Sequence, residues 1–312
     1  MVAVLFTLSV LVFLIFFATP GIDPARQIAG RDPTPATIAA IRHDFGLDRP
    51  LPVQYALLMK RLIISRDLVS YTNRGVKVVP AIARATPVTL SLVFGAAAIW
   101  LVASIAIGVA AALLRGTIWD PLLMLGALLG ISLPVFWLGQ VVNLLTQSTW
   151  HHSLLFSWVP PLGYTPITSN PWRWFLHLII PWITLAVLYA GLYGHVLRSA
   201  LVESETADFV RTARAKGLSE RRVLVRHMLR TSMITFVSLF GLDFGALVGG
   251  GALLVEVVFG LPGVGRLTYS SLSGLDLPVI MASVLYGAFF VVLMSALVDV
   301  VYAWLDPRTR TA

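Results

Sequence analysis

The 312-residue chain contains no cysteine and has few charged residues. The absence of cysteine excludes disulfides, thiolate metal sites and cysteine nucleophiles, and it leaves the redox compartment unspecified. Charged residues make up 12% of the chain, against about 25% in a typical soluble domain. This shortage, with a hydrophobic content of 57% and a mean hydropathy of +0.84, indicates that lipid is the main solvent of the protein.

Acidic residues are the scarcer charged class. The chain has 15 of them and 23 lysines and arginines, which gives a net charge of +8. In a soluble protein such an excess would suggest a nucleic-acid partner. The chain shows no RNA-binding or helix-turn-helix pattern, and the positive-inside bias of membrane proteins explains the excess more simply. We therefore expect no nucleic-acid partner.

Motifs of catalysis are also missing from the sequence. No GxxxxGK[ST] phosphate-binding loop and no HExxH metalloprotease motif occur. An intramembrane enzyme would need a nucleophile and a base, and no credible pair is visible. We expect a non-enzymatic chain with no catalytic residue, no metal site and no cofactor of its own.

Long apolar runs dominate what is present. A helix needs about 20 mainly apolar residues to cross the hydrocarbon core, and six stretches meet or nearly meet this length. They lie at roughly 2–18, 87–113, 121–146, 174–197, 233–258 and 279–304. Since none alternates with period two, helices are favoured over a barrel. The first run lacks a basic n-region and a cleavage site, so a retained helix is expected rather than a signal peptide.

Basic residues are distributed unevenly among the predicted connections. Those on one side carry eleven, eight of them between residues 198 and 230, whereas the two opposing loops carry only Arg173 and Arg266. Because cytoplasmic loops are enriched in Lys and Arg, the Arg-rich segment and both termini are expected in the cytosol. The predicted organisation is a first transmembrane helix (1–18), an extracytoplasmic segment (19–86), a five-helix transmembrane core (87–304) that includes the cytosolic loop 198–232, and a cytosolic tail (305–312).

The predicted extracytoplasmic segment is rich in proline, which interrupts long helices. Short helices are expected near 36–44 and 52–64. A small packed subdomain is favoured over a free linker, because the segment has hydrophobic side chains to bury. These are Phe45, Leu47, Tyr55, Leu57 and Leu58.

The segment 203–230, ESETADFVRTARAKGLSERRVLVRHMLR, is a charged and helix-prone excursion between two apolar runs. On a helix over 206–217, one sector about 100° wide holds four apolar or small residues. They are Phe209, Val210, Ala213 and Gly217. Gly217 can end this helix in the left-handed conformation, and Ser219 can cap the next one. Two interpretations remain open: a helix that enters a groove on a partner, and a surface helix whose arginines meet anionic lipids.

Part of this segment, RTARAKGLSERRVLVRHMLR, resembles the "EAA" loop of ABC importer permeases. Ala213 and Gly217 occupy the last small position and the glycine of that loop, whereas Arg211 and Thr212 replace its Glu and first Ala. Further stretches resemble the first ("B"-type) membrane subunit of dipeptide/oligopeptide/nickel permeases. They are TPGIDPA (19–25), GLDRPLPVQY (46–55), ISLPVFWLG (131–139), GGALLVEVVFGLPGVGRL (250–267), LDLPVI (275–280) and LVDVVYAWLDPR (297–308).

This resemblance implies an all-α polytopic membrane protein with six transmembrane helices and a cytosolic coupling helix, the type I ABC importer permease fold. It implies a heterodimer of homologous permease subunits in the bacterial plasma (inner) membrane, two cytosolic ATPase subunits that use ATP and Mg, and an extracytoplasmic substrate-binding protein. The residues implied in ATPase coupling are Phe209, Val210, Arg211, Ala213, Arg214 and Gly217.

The implied function is import of dipeptides, oligopeptides or a similar small solute, and the sequence does not distinguish peptides from nickel complexes or haem. The alternative is a secondary transporter that works without ATP. Such transporters tend to show internal repeats and broken helices. No convincing repeat is visible, and this alternative leaves the charged excursion unexplained.

Polar and small residues inside the fifth span are the remaining candidates. Gly241, Gly245 and Gly249 recur every four residues, which favours close helix packing over pore lining. Asp243 lies on roughly the opposite face, and a carboxylate in a span usually faces protein or water. It is a candidate pathway or gate contact, with a buried ion pair as the alternative. Glu256 is a second candidate for the gate, although a structural anchor is favoured for it.

Overall fold

The computed structural model describes residues 2–17, 24–29, 33–73, 75–148, 151 and 153–305. This part of the chain is mostly helical, and its β structure is limited to one isolated bridge between Val69 and Lys77. The all-α prediction is therefore confirmed. Most of the predicted tail 305–312 and most of the TPGIDPA stretch lie outside the described residues.

Fourteen α-helices follow one another in the described residues, with three short π-helical turns at Lys60–Ile64, Leu224–Met228 and Leu247–Gly251. The α-helices are α1 (Val2–Phe17), α2 (Pro24–Ala29), α3 (Pro35–Phe45), α4 (Leu51–Met59), α5 (Val78–Leu113), α6 (Trp119–Ser132), α7 (Val135–Gln147), α8 (Pro171–Glu205), α9 (Asp208–Ala215), α10 (Glu220–Val223), α11 (Leu229–Ala246), α12 (Leu253–Val258), α13 (Val264–Ser273) and α14 (Leu277–Leu305).

Three of these helices, α5, α8 and α14, are long and apolar enough to cross a membrane. Two bent pairs among the described residues raise the number to five if each pair is one span, and α1 is a shorter apolar helix. The helix α5 also begins before the apolar stretch predicted at 87–113. Since α5 already begins at Val78, the predicted domain boundary at residues 86 and 87 falls inside a continuous helix.

The predicted span 121–146 is wrong as a single helix, because α6 and α7 meet at an angle of 95°. The break lies at Leu133 and Pro134, whose ψ angles of 126° and 127° are extended. A residue before proline is disfavoured in the helical region, and proline has no N–H for the helix ladder. The fifth span is also interrupted, since Gly250 has a φ of 134° between α11 and α12.

The main core lies where α5 and α8 pack against each other and against α11 and α12. Gly95 of α5 faces the indole of Trp182 on α8 so closely that a Cβ at Gly95 would lie inside the ring's contact distance. The Trp182 Nε1–H donates to the carbonyl of Ser91 at 2.9 Å. A small residue and a matched aromatic residue thus set the spacing of this helix pair.

The segment between α1 and α5 packs as predicted for a subdomain rather than a linker. The two predicted short helices are confirmed as α3 and as α4 with its π-helical extension. The hydroxyls of Ser9 and Tyr55 lie 2.6 Å apart and join α1 to α4. Asp276, just before α14, is buried and accepts hydrogen bonds from the Ser70 hydroxyl and from the Tyr71 N–H, the latter at 3.0 Å. These contacts hold the segment against the bundle.

Candidate functional site

The charged excursion folds as predicted into a short helix that ends at a glycine. The helix α9 is followed by Gly217 at a φ of 75°, and the Gly217 N–H bonds to the carbonyl of Arg214 at 2.9 Å. No atom lies within 4 Å of a Cβ built at Gly217, so glycine is required there by backbone conformation and not by space. Ser219 occupies the N-cap of α10, but its side chain makes no capping hydrogen bond.

The predicted small-residue face of α9 is turned toward the protein itself at two of its residues. Val210 is fully buried and Ala213 is 5% exposed, in the same buried cluster as Leu201 and Val223. Their side chains are covered by this chain and are not available to a partner. Phe209, by contrast, is 41% exposed.

The outward side of α9 is polar apart from Phe209. Asp208 and Arg211 form a loose ion pair at 3.8 Å with both side chains largely in solvent, and Thr212 is exposed beside them. Arg211 therefore lies on the available surface as predicted, whereas Arg214 is engaged by neighbouring acids. The role of these residues in ATPase coupling stays a prediction.

A chain of ion pairs connects α9 to the ends of two long helices. Arg214 donates from Nε and Nη2 to both carboxylate oxygens of Glu220, at 2.9 and 3.0 Å. Its Nη2 also lies 3.7 Å from Glu205 at the end of α8, and Glu205 lies 3.4 Å from Arg115 after α5. The hydrogen bonds that Arg214 donates to the Glu220 carboxylate raise the pKa of Arg214, so the pair stays ionised. Each bridge is solvent-exposed and weak alone, but together they join four segments.

A second, less exposed ion pair lies close to this network. Arg198 on α8 donates from Nε and Nη2 to the two carboxylate oxygens of Asp120, both at 2.6 Å, and Asp120 is only 6% exposed. This bidentate geometry is the strong form of an arginine–carboxylate contact. It ties the first turn of α6 to α8. Sequence reasoning missed both sets of pairs, because their partners are separated by up to 90 positions in the chain.

The structure gives Asp243 a partner that the sequence did not suggest. Its Oδ2 accepts a hydrogen bond from the Tyr193 hydroxyl of α8 at 2.7 Å. Tyr193 is fully buried and packs edge-on against Phe236, with Trp100 close by. No basic residue pairs with Asp243 in the described part of the chain, so the alternative of a buried ion pair finds no support there. The carboxylate is half-buried at the edge of an aromatic cluster.

The glycine stripe packs against α14, as the packing interpretation predicts. A Cβ at Gly241 would clash with Val298, one at Gly245 would lie 3.0 Å from Met294 Cβ, and one at Gly249 would lie 3.0 Å from the Gly287 carbonyl. The stripe is therefore an interface between helices of this chain.

Glu256 has the environment of the structural anchor that the sequence favoured, because its side chain has no solvent exposure, and its role as a gate contact stays a prediction. Its Oε1 accepts from the Thr89 hydroxyl at 2.6 Å, and its Oε2 accepts from the Arg266 N–H at 2.9 Å. The same Thr89 oxygen accepts from the Val264 N–H at 2.9 Å. The carboxylate and the Thr89 hydroxyl together therefore pair two otherwise orphaned amides at the start of α13. In the described residues, no group of three or more metal-ligating side chains could hold a metal ion.

Two family descriptions match the chain. Residues 104–311 match the family described as "Binding-protein-dependent transport system inner membrane component". Residues 1–93 match the description "Binding-prot-dependent transport system membrane comp, N-term". Together the two regions cover nearly the whole chain.

Similar proteins carry related names. A peptide transport system permease protein of Brucella abortus (strain 2308) is 37% identical over 309 residues, which cover 99% of this chain and 96% of the relative. The glutathione transport system permease protein GsiC of Salmonella paratyphi A is 37% identical over 311 residues, covering 99% and 96%. A solved chain of the MetNI methionine ABC transporter, in an inward-facing conformation, has a TM-score of 0.54 at 16% identity, covering 73% of this chain and 97% of that one. The last likeness concerns the fold alone.

Proposed function

This chain belongs to the family of binding-protein-dependent transport system inner membrane components, and we propose that it forms one half of the pore of an ATP-driven peptide importer. It is a permease subunit of an ABC importer with the type I permease fold, and it is a multi-pass inner-membrane protein. The proposed solute class is dipeptides, oligopeptides or a similar small solute. Relatives named for peptide and glutathione transport support this class.

The proposed assembly contains a homologous second permease, two cytosolic ATPases that use ATP and Mg, and an extracytoplasmic binding protein. The family name itself implies a binding protein. The distribution of basic residues supports cytosolic termini and a cytosolic α9. In this proposal the chain binds no nucleotide, and its work is to change conformation when the ATPases close.

The observation that carries the proposal is the two-sided character of α9. Its inner side, Val210 and Ala213, is part of the protein core, while Phe209 and Arg211 are presented outward. A helix built into the core on one side and exposed on the other can pass a displacement to the bundle as a rigid body. The ion pairs of Arg214 give it two further attachments, at Glu205 and Glu220.

We expect Phe209→Asp to reduce copurification of the ATPases by about tenfold or more, because the change removes an exposed aromatic contact and adds a charge at the contact surface. The measurement is ATPase recovery with the tagged permease after solubilisation. Tyr269→Asp is the matched control. Tyr269 is a similarly exposed aromatic residue (49%) on α13, which in this proposal lies on the extracytoplasmic side, away from the ATPases. Full ATPase recovery with Phe209→Asp, or equal loss with the control, would contradict the assignment. Ala213→Glu is unsuitable because it perturbs the core.

We also expect Asp243→Asn to slow solute uptake by the reconstituted transporter about tenfold, since the amide removes the charge and accepts the Tyr193 hydroxyl more weakly than a carboxylate does, and about 1.4 kcal/mol in a barrier is a factor of ten. Assembly and basal ATPase activity are expected to stay at the level of the unsubstituted transporter. Tyr193→Phe keeps the ring and removes the hydroxyl, so it separates the hydrogen bond from the charge. Loss of assembly in Asp243→Asn would make Asp243 a structural partner and not a pathway residue.

A further inference from the structure

A cavity of about 520 Å³ opens beside the start of α13, at the end of the bundle opposite α9. It lies between the first turns of α5, the loop at Tyr164 and Pro166, and residues 262–270. Its volume falls in the range of small-molecule sites, about 300–1,000 Å³. Its floor is partly apolar, with Val88 and Leu267 among the lining residues.

Two arginines, Arg84 and Arg266, give this cavity its charge. Among the described residues that line it, none is acidic, and Tyr164 and Ser270 contribute hydroxyls. Among the described residues, the guanidinium of Arg84 donates only from Nε, to the Pro80 carbonyl at 3.2 Å, and that of Arg266 only from Nη1, to the Gly260 carbonyl at 2.6 Å. Neither meets a carboxylate within the part of the chain that the structure describes. Within those described residues, both guanidinium groups keep free donors with the fork geometry that matches a carboxylate.

The wall that carries Arg266 is fixed before any ligand arrives. Glu256 holds the Arg266 N–H, and Thr89 holds the Val264 N–H while donating to Glu256. Thr89 is on α5 next to Val88, which lines the cavity. One buried hydrogen-bonded group therefore locks both walls together, and a preorganised site loses less entropy when it binds a ligand.

We propose that this cavity is a vestibule that binds the carboxylate of an incoming short peptide between Arg84 and Arg266. The inference rests on the proposed function, and it adds a positively charged site on the permease for the acidic end of the solute. The apolar floor accommodates the neighbouring side chain. A phosphate of an anionic lipid offers similar charge, so the test separates it from a peptide.

The test measures how fast phenylglyoxal modifies individual arginines of the full chain in phosphatidylcholine nanodiscs, read by mass spectrometry. The probes are trialanine and trialanine amide, which differ only in the terminal carboxylate. We expect trialanine to slow modification of Arg84 and Arg266 by about threefold or more, because a bound carboxylate occupies their donors. The amide is expected to have no effect. Arg173 is the control, being exposed and outside the cavity.

A second arm uses Arg84→Gln and Arg84→Lys. Protection of Arg266 is expected to be lost in the first and partly kept in the second. Equal protection by acid and amide, no protection, or protection that arises only in phosphatidylglycerol nanodiscs would overturn the proposal. The outcome is independent of ATPase recovery: if the ATPases fail to copurify while trialanine still protects, the importer proposal fails and the vestibule stands.

Discussion

Gly287→Ala is expected to destabilise the protein by about 1–3 kcal/mol or more, the cost of overpacking a tight core. A Cβ at Gly287 would lie closer than 3.0 Å to the backbone of Gly249, at a distance that real Cβ atoms essentially never show. Because the obstacle is backbone, no side chain can rotate away, and α14 must separate from the π-helical turn before α12. The measurement is thermal unfolding of the purified protein in detergent.

Gly126→Ala is the matched control for this substitution. Gly126 is also inside a helix, α6, but no atom lies within 4 Å of a Cβ built there. Its replacement is expected to be neutral or slightly stabilising, because alanine is the better helix former by about 1 kcal/mol. Similar unfolding temperatures for the two variants would show that the close approach of Gly249 and Gly287 is not rigid.

The glycine stripe illustrates what the sequence could predict about this fold. Its spacing of four residues is a local signal, and close packing on one neighbour follows from it directly. The stop at Gly217 is local in the same sense, since the left-handed conformation is a property of one residue and its preceding helix. Both predictions are confirmed.

The orientation of α9 could not be predicted in the same way. Periodicity identifies which residues share a face, but it does not say whether that face meets the protein's own core or a partner. Val210 and Ala213 are buried where α9 packs against α10 and the π-helical turn that follows it, which the pattern of α9 does not contain. The break at Pro134 had a visible signal, but a hydropathy window averages over the proline and hides it.

The buried hydrogen bonds and ion pairs between helices could not be predicted from the sequence for a different reason. Thr89 and Glu256 are 167 positions apart, and Arg198 and Asp120 are 78 apart. Such pairs form when α5 packs against α12 and α6 packs against α8, so the local sequence around each residue does not indicate its partner. The sequence places the Glu256 carboxylate near the end of the fifth span, but only the fold shows that it accepts a hydrogen bond from a backbone amide.

Glu256→Ala is expected to cost about 3 kcal/mol or more, because it removes the acceptor of one buried and one partly buried donor and leaves a cavity. The unpaired groups would be the Thr89 hydroxyl and the Arg266 N–H, and Gly263 packs so closely on the carboxylate that the turn before α13 would lose its support. Thermal unfolding and limited proteolysis of residues 259–274 are the measurements, with earlier cleavage expected in the variant. Glu203→Ala is the control at an exposed acid, for which a change within about 0.5 kcal/mol is expected.

A double-mutant cycle with Thr89→Val identifies the interaction responsible for this loss. If Glu256 acts by holding Thr89, the two substitutions together should cost less than the sum of each alone, with a coupling of about 1 kcal/mol or more. Glu256→Gln should fall between wild type and Glu256→Ala, since the amide keeps the shape and one acceptor but presents N–H groups toward a donor. An Ala variant as stable as the Glu203 control, with transport alone impaired, would favour the gate interpretation of Glu256 over the anchor. Strict additivity would show that the carboxylate and Thr89 stabilise the turn before α13 independently.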